Sequence, residues 1–317
     1  MTLIQTLYQT KITKVHNAPF RGLGGTMKDT LVKALVCEER VRVIVNSTTN
    51  LCEEARQRHD CWPTAAAALG RVLSIGSIMG SMQKSENEKV TIQINGGGPI
   101  GTIMVDCFPN GDVRGFVSDP YQFYTYNNTG KLAVGVAVGN QGTLKVIKDL
   151  GLKDDFAGSV QLQTGEIGDD FAYYFTVSEQ VPSAVSLGVL VEPDNSVSAA
   201  GGMLIQMLPN ATEEDIVKME QILSNIKPMS ELIHEGKTPE QIILETFDDA
   251  KILSEQDIKF NCYCSEEHMK EALSTLTEDE MNKMIEEDHG CEIVCHWCNT
   301  KYQFNEEELK EIYNENR

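Results

Sequence analysis

The chain has 317 residues, a mass of 35.2 kDa and 41% hydrophobic residues, enough to bury a full core and to divide into two folded units. Its 47 acidic and 27 basic side chains leave a net charge of −20, which argues against nucleic acid and anionic membranes as partners, because phosphate is bound by basic faces. No apolar run approaches the roughly 18 residues of a membrane span, and nine scattered cysteines suit a reducing, cytoplasmic setting better than a secreted disulfide framework.

Residues 1–26 hold no acid and three basic residues, Lys11, Lys14 and Arg21. They lack the leading charge and compact apolar stretch of a secretory signal. The segment reads as an N-terminal extension whose origin the composition leaves open, either an organellar presequence or an extended start.

Residues 27–208 have the mixed periodicity of an α+β core domain of sheet and helix. Val41–Val45 alternates as a strand, and Pro63–Met79 predicts a buried helix with proline in its first turn and a run of small residues for close packing. A strand over Lys89–Ile94 precedes a hairpin of Thr102–Phe108 against Asp112–Val117, turned at Asn110-Gly111. Further strands are expected at Ser159–Gln163, Ala184–Val191 and Val197–Leu208, the last two joined by Pro193-Asp-Asn195, with a helix around Asp169–Gln180. Gly96, Gly98 and Gly101 satisfy the spacing of a dinucleotide-binding loop, yet Pro99 lies inside it and a strand follows where a helix N-terminus should cradle pyrophosphate. The glycines are expected to serve turns and close backbone approaches, and no nucleotide cofactor is predicted.

Residues 209–258 read as an amphipathic helical linker. Thr212-Glu-Glu-Asp215 resembles a capping box, after which Ile216, Met219, Ile222, Leu223 and Ile226 share one helical face. Pro228 ends that helix, and Thr238-Pro-Glu-Gln241 opens another carrying Ile242, Ile243 and Phe247. Helices this short need a surface to dock on. The docking is either permanent or conditional on the module that follows.

That module, residues 259–317, holds the chemistry. Cys262 and Cys264 are answered by Cys295 and Cys298, a C-x-C-x30-C-x-x-C pattern that meets the needs of a tetrahedral thiolate zinc site, one Zn2+ per chain. Ser265 caps one helix, Thr277-Glu-Asp-Glu280 boxes a second that Gly290 would end, and Asn305-Glu-Glu-Glu308 starts a third. From Asp248 onward there are 19 acidic and 7 basic residues, so the small module has little core of its own and should depend on the metal. The same thiols have a second state: closed as Cys262–Cys264 and Cys295–Cys298 disulfides, they cannot hold zinc. The spacing is thus compatible with a redox switch or with a plain structural zinc module. His296 offers a Cys3His alternative that four cysteines make unnecessary, and Cys291 is a fifth thiol that could compete as ligand or disulfide partner. Cys37, Cys52, Cys61 and Cys107 read as buried spectators. His268 and His289 read as surface residues. Met203, Met207, Met219 and Met229 read as core more readily than as an adaptable client surface.

The run Phe260-Asn-Cys-Tyr-Cys-Ser-Glu-Glu, the acidic stretch Glu286-Glu287-Asp288 and Val294-Cys-His-Trp-Cys-Asn-Thr-Lys-Tyr-Gln-Phe304 resemble the zinc domain of the 33-kDa heat-shock protein family. The resemblance extends from Met27 over almost the whole chain, including Asn95–Gly101 and Gly139–Gly142. It implies a non-enzymatic, ATP-independent holdase, inactive when reduced and zinc-bound. Oxidation of Cys262, Cys264, Cys295 and Cys298 to two disulfides would activate it to bind unfolded client proteins. It further implies a homodimer when active and handover of clients to ATP-dependent foldases. Two rivals remain: a thiol–disulfide oxidoreductase working through Cys295 and Cys298, and a constitutive zinc-stabilised binding module. A zinc hydrolase has no open coordination position among four thiolates.

Overall fold

The computed structural model describes residues 28–315, apart from Asn128, and the extension 1–26 lies outside them. The chain divides into two compact units between Phe260 and Asn261. In the first, the hairpin β1 (Thr30–Val36) and β2 (Val41–Ser47) leads to helices α1 (Thr49–His59) and α2 (Pro63–Ser81), then to strands β3 (Lys89–Asn95), β4 (Thr102–Cys107) and β5 (Asp112–Val117). Next come α3 (Val134–Val138), β6 (Thr143–Asp149), β7 (Phe156–Gln161), α4 (Gly168–Val177), β8 (Ser183–Val191) and β9 (Val197–Met207). Helices α5 (Glu213–Asn225), α6 (Met229–His234) and α7 (Pro239–Thr246) precede β10 (Lys251–Asp257) and the short β11 (Lys259–Phe260). The second unit contains α8 (Glu266–Ser274), α9 (Glu278–Glu286), β12 (Gly290–Val294), β13 (Lys301–Asn305) and α10 (Glu306–Glu315).

Two sheets, ordered β10-β1-β2-β9-β8 and β11-β5-β4-β3-β6-β7, pack on opposite sides of α2. Every residue of α2 from Thr64 to Ser81 except Arg71 is buried, as expected of a helix apolar all round. Its buried serines are hydrogen-bonded inside the core, and Asn46 of β2 donates to the Ser74 carbonyl at 2.8 Å and to Ser77 Oγ at 2.6 Å, and accepts from Gly202 N–H at 2.6 Å. Two glycines of the loop after β3, Gly96 and Gly98, let backbone lie on backbone. A Cβ at Gly96 would stand 2.2 Å from the Gly139 carbonyl, and one at Gly98 would stand 2.3 Å from that of Ala137. Strand β4, not a helix, follows the loop.

The first sheet uses its strand alternation to serve two layers. On β2, Ile44 joins the α2 side, while Val41, Val43 and Val45 join a separate cluster with Met219, Met229, Leu232, Ile233, Ile242, Ile243 and Phe247 from α5, α6 and α7. Residues 209–250 therefore lie docked on the outer face of that sheet. Met203, Met219 and Met229 are interior residues of this contact, and Met207 packs at its margin. The hairpin turn ahead of β2 is tied to the same helices, because Arg40 grips Asp215 with two hydrogen bonds of 2.8 and 3.0 Å. At Gly188 of β8, the three nearest atoms to an added Cβ, at 2.6 to 2.9 Å, all belong to Ser230 of α6. The helix thus sits directly on the strand.

The helical reading of 209–258 fails at its end, where Lys251–Asp257 is a strand on the edge of the first sheet, antiparallel to β1. Most of its side chains are exposed, so it carries no apolar alternation for a sequence reading to find. Ile258 then buries itself and donates its N–H to the Asp29 carbonyl at 3.1 Å, after which β11 joins β5 in the second sheet. Within these few residues the chain binds the edges of both sheets.

Asp29 itself is 3% exposed and accepts Leu51 N–H at 2.7 Å and the Asn50 amide at 3.2 Å, serving the start of α1, which has no side-chain cap of its own. Burial pushes its carboxyl up to about 6 from an ordinary 3.8, against the opposing pull of those hydrogen bonds. The folded state therefore holds a proton that the unfolded chain has released between about pH 4 and pH 6, and stability falls as pH rises through that window. Urea unfolding followed through Trp62 in a Trp297→Phe background should show this slope, and Asp29→Asn should flatten it. An unchanged slope in Asp29→Asn would show that Asp29 is ionised throughout.

Candidate metal centre

The second unit is built on a small core of Leu273, Met281, Ile285, Phe304, Leu309 and Ile312. Ser265 caps α8 through His268 N–H at 3.2 Å, Thr277 and Glu280 form the capping box of α9, and Asn305 Oδ1 accepts the N–H groups of Glu307 and Glu308 at the start of α10. Gly290, read from sequence as the end of a helix, instead begins β12: α9 stops at Glu286, and the intervening His289 takes a positive φ of 56°.

Strands β12 and β13 pair antiparallel from Gly290 opposite Asn305 to Val294 opposite Lys301. The C-x-x-C pair lies on the turn that joins them. Cys295 N–H donates to the Thr300 carbonyl at 2.9 Å and Asn299 N–H to the Cys295 carbonyl at 2.7 Å, with Asn299 at φ 58°. The C-x-C pair lies on the extended segment before α8. All four sulfurs fall within 4.8 Å of one another, with Cys262 and Cys295 at 3.8 Å and Cys264 and Cys298 at 3.3 Å. A tetrahedral thiolate site with metal–sulfur bonds of about 2.3 Å has edges of about 3.8 Å, so the donor set and its spacing fit a metal ion.

The sulfurs are not equivalent. Burial pushes the Cys295 thiol up. Burial also pushes Cys264, to about 12, against a Tyr302 hydroxyl 3.2 Å from its sulfur. At Cys298 burial acts the same way but is outweighed by the Thr300 hydroxyl at 3.1 Å, the Thr300 N–H and the neighbouring sulfurs, which bring it down to about 7. Tyr302 and Thr300 were not singled out in the sequence. The available signal was the pair of hydroxyl residues two and four positions beyond Cys298.

His296 has an exposed side chain, and the cluster consists of the four sulfurs alone. Cys291 faces Phe304 across the hairpin and packs on the unit's core, apart from the four. His268 Nδ1 lies 3.2 Å from the Tyr263 carbonyl, and His289 lies 3.4 Å from Glu306; both side chains are exposed. Cys37, Cys52, Cys61 and Cys107 are buried and their thiols are pushed up by burial, Cys52 and Cys61 to about 12. Because the Cys295–Cys298 turn joins two strands, it lacks the helix N-terminus that lowers the attacking thiol in thioredoxin-like oxidoreductases.

These features define an α+β protein that carries a separate four-cysteine module suited to metal binding and to thiol redox chemistry. Comparison with known proteins agrees. The sequence matches the model of the family described as "Hsp33 protein" over residues 29–305. It is 48% identical over 290 residues to the "33 kDa chaperonin" of Staphylococcus carnosus, covering 91% of this chain and 98% of that one. It is also 48% identical over 283 residues to the "33 kDa chaperonin" of Bacillus subtilis, covering 89% and 97%. The crystal structure of the 33 kDa chaperonin (heat shock protein 33 homolog) of Thermotoga maritima superposes with a TM-score of 0.84 at 35% identity, covering 90% of this chain and 98% of that one. The chain belongs to the Hsp33 family, a chaperone family and not an enzyme family. Among the described residues, no helix is long and apolar enough to cross a membrane.

Proposed function

We propose that this protein is a redox-regulated, ATP-independent holdase that prevents unfolding proteins from aggregating under oxidative stress. Cys262, Cys264, Cys295 and Cys298 hold one Zn2+ in the reduced, inactive state. Bound there, zinc supplies a clamp that contributes to folding, and four thiolates leave it no open position for catalysis. The observation that carries the reading is the gathering of four thiols in a unit of small core that, from Asn261 onward, bears 15 acidic and five basic residues. Such a unit has little to keep it folded once its thiolates are spent.

Peroxide or hypochlorite oxidises the Cys295 and Cys298 pair, the set no longer offers four ligands, and a Cys262–Cys264 disulfide can form. Order is lost in residues 259–317 and then in the linker 209–258, while the core 27–208 stays folded. Undocking of α5, α6 and α7 bares their apolar faces and the outer face of the first sheet, and unfolded clients bind there. The active form is a homodimer in the cytoplasm that hands clients to ATP-dependent foldases.

Light scattering of an aggregating client tests this directly. Reduced, zinc-loaded protein should leave the scattering unchanged, and peroxide-treated protein should suppress it while releasing about one equivalent of zinc per chain. Equal suppression in both states would identify a constitutive binding module instead.

A further inference from the structure

Two hydroxyls reach into the sulfur cluster from outside the four-cysteine pattern. Tyr302 of β13 contacts Cys264 at 3.2 Å, and Thr300 contacts Cys298 at 3.1 Å. Each therefore meets one sulfur of a different pair, and the two sulfurs they meet are themselves only 3.3 Å apart. Tyr302 is held in place by its register opposite Ile293 and by its packing against the unit's core, so its hydroxyl is fixed by the hairpin. As thiols, Cys298 donates to the Thr300 hydroxyl while Cys264 accepts from Tyr302; in the thiolate form neither sulfur has a proton to give, so at both contacts the hydroxyl is the donor.

We infer that Tyr302 and Thr300 are positioning residues that slow oxidation of the cluster, each by donating a hydrogen bond to one sulfur ligand. The inference rests on the reading that these sulfurs hold zinc and are oxidised. A hydrogen bond draws charge from the sulfur lone pairs, and nucleophilicity falls with sulfur basicity along a slope of about 0.4–0.5. A contact worth about one unit of sulfur basicity thus changes the rate of attack on peroxide about threefold.

The reaction being slowed has two steps. A thiolate attacks peroxide: the S–O bond forms, the O–O bond breaks, the sulfur is oxidised by two electrons, and hydroxide leaves to be protonated. The other thiolate of the same pair then attacks that sulfur. The S–S bond forms, the S–O bond breaks, and a second hydroxide leaves, so peroxide ends as two waters and the pair as one disulfide. The donated hydrogen bonds act on the first attack. They set how much peroxide the reduced cluster withstands before it is spent.

Tyr302→Phe and Thr300→Val remove the hydroxyls and keep the shape of the side chains. Zinc release from the full-length reduced protein should be timed with a chromogenic chelator, with and without peroxide. Thr300→Val should release zinc about threefold faster in peroxide and Tyr302→Phe should close the Cys262–Cys264 disulfide about threefold faster, with chelator-only release unchanged in both. Loaded with Co2+ in place of zinc, each should show its sulfur-to-metal charge-transfer band at lower energy, a signature that lost packing alone would not give. Wild-type peroxide rates and an unshifted band would overturn the inference, and so would faster release to the chelator alone. If the wild-type protein holds no zinc, or releases none to peroxide, the proposed function falls and this inference with it.

Discussion

Replacing Cys295 and Cys298 together by serine is expected to melt the second unit in the reduced protein, with no oxidant added. Zinc content should drop to near zero, amide resonances of residues 261–315 should lose dispersion, and a protease should cut there while residues 28–208 resist. The core of that unit is six buried side chains, set against a clear excess of negative charge. Apparent zinc binding energies of about 10–16 kcal/mol in small modules match or exceed the whole stability of an ordinary domain, about 5–15 kcal/mol. The substitution also removes both sulfurs on the β12–β13 turn, and with them one side of the clamp. If the unit keeps its resonances and its protease resistance without zinc, its core suffices and the metal is not what holds it.

Gly188→Ala should separate linker docking from metal loss. The three atoms nearest the added methyl, at 2.6 to 2.9 Å, all belong to Ser230 and one of them is backbone, so α6 has to lift from β8. The conformation of Gly188 itself permits alanine. Lifting α6 exposes Met229, Leu232 and Ile233, each worth about 1.5–3 kcal/mol when fully buried. The expected protein is reduced, still zinc-loaded, cut by protease within 209–250, and already able to suppress client aggregation. A variant whose linker is cut but which leaves aggregation unchanged would show that the surface under α5–α7 is not where clients bind. A variant with an uncut linker would show that the sheet yields instead of the helix.

The sequence made several buried parts of the first unit legible, because burial leaves a pattern, although the alternating strands β1 and β6 were not read from it. Strand β2, helix α2, the β4–β5 hairpin and the β8–β9 pair all carry apolar alternation or an uninterrupted apolar run, and all lie in the two large clusters. Helix α1 was not expected. Its sequence is mostly polar, only Leu51, Cys52 and Ala55 are buried, and its start is served by Asp29 from ahead of β1, so neither a stripe nor a cap announced it. Strand β10 escaped for a related reason, since most of its side chains are exposed and its partner supplies backbone contacts that no local pattern encodes, while β12 and β13 are only five residues each. The four thiols were visible because metal-ligand spacing is local in each pair. Thr300 and Tyr302 were not, because a hydroxyl beside a cysteine gains its meaning only when the hairpin turns it inward.

The edge position of β10 makes its departure unlike that of the three helices. Peeling α5–α7 away would bare side chains, an oily surface indifferent to the direction of whatever settles on it. Peeling β10 away would uncover little oil, because its own residues are mostly wetted. It would leave β1 with a row of unanswered amides and carbonyls, a comb that accepts any extended polypeptide whatever its side chains. One contiguous stretch of chain thus covers two kinds of adhesive, one blind to backbone geometry and one blind to sequence.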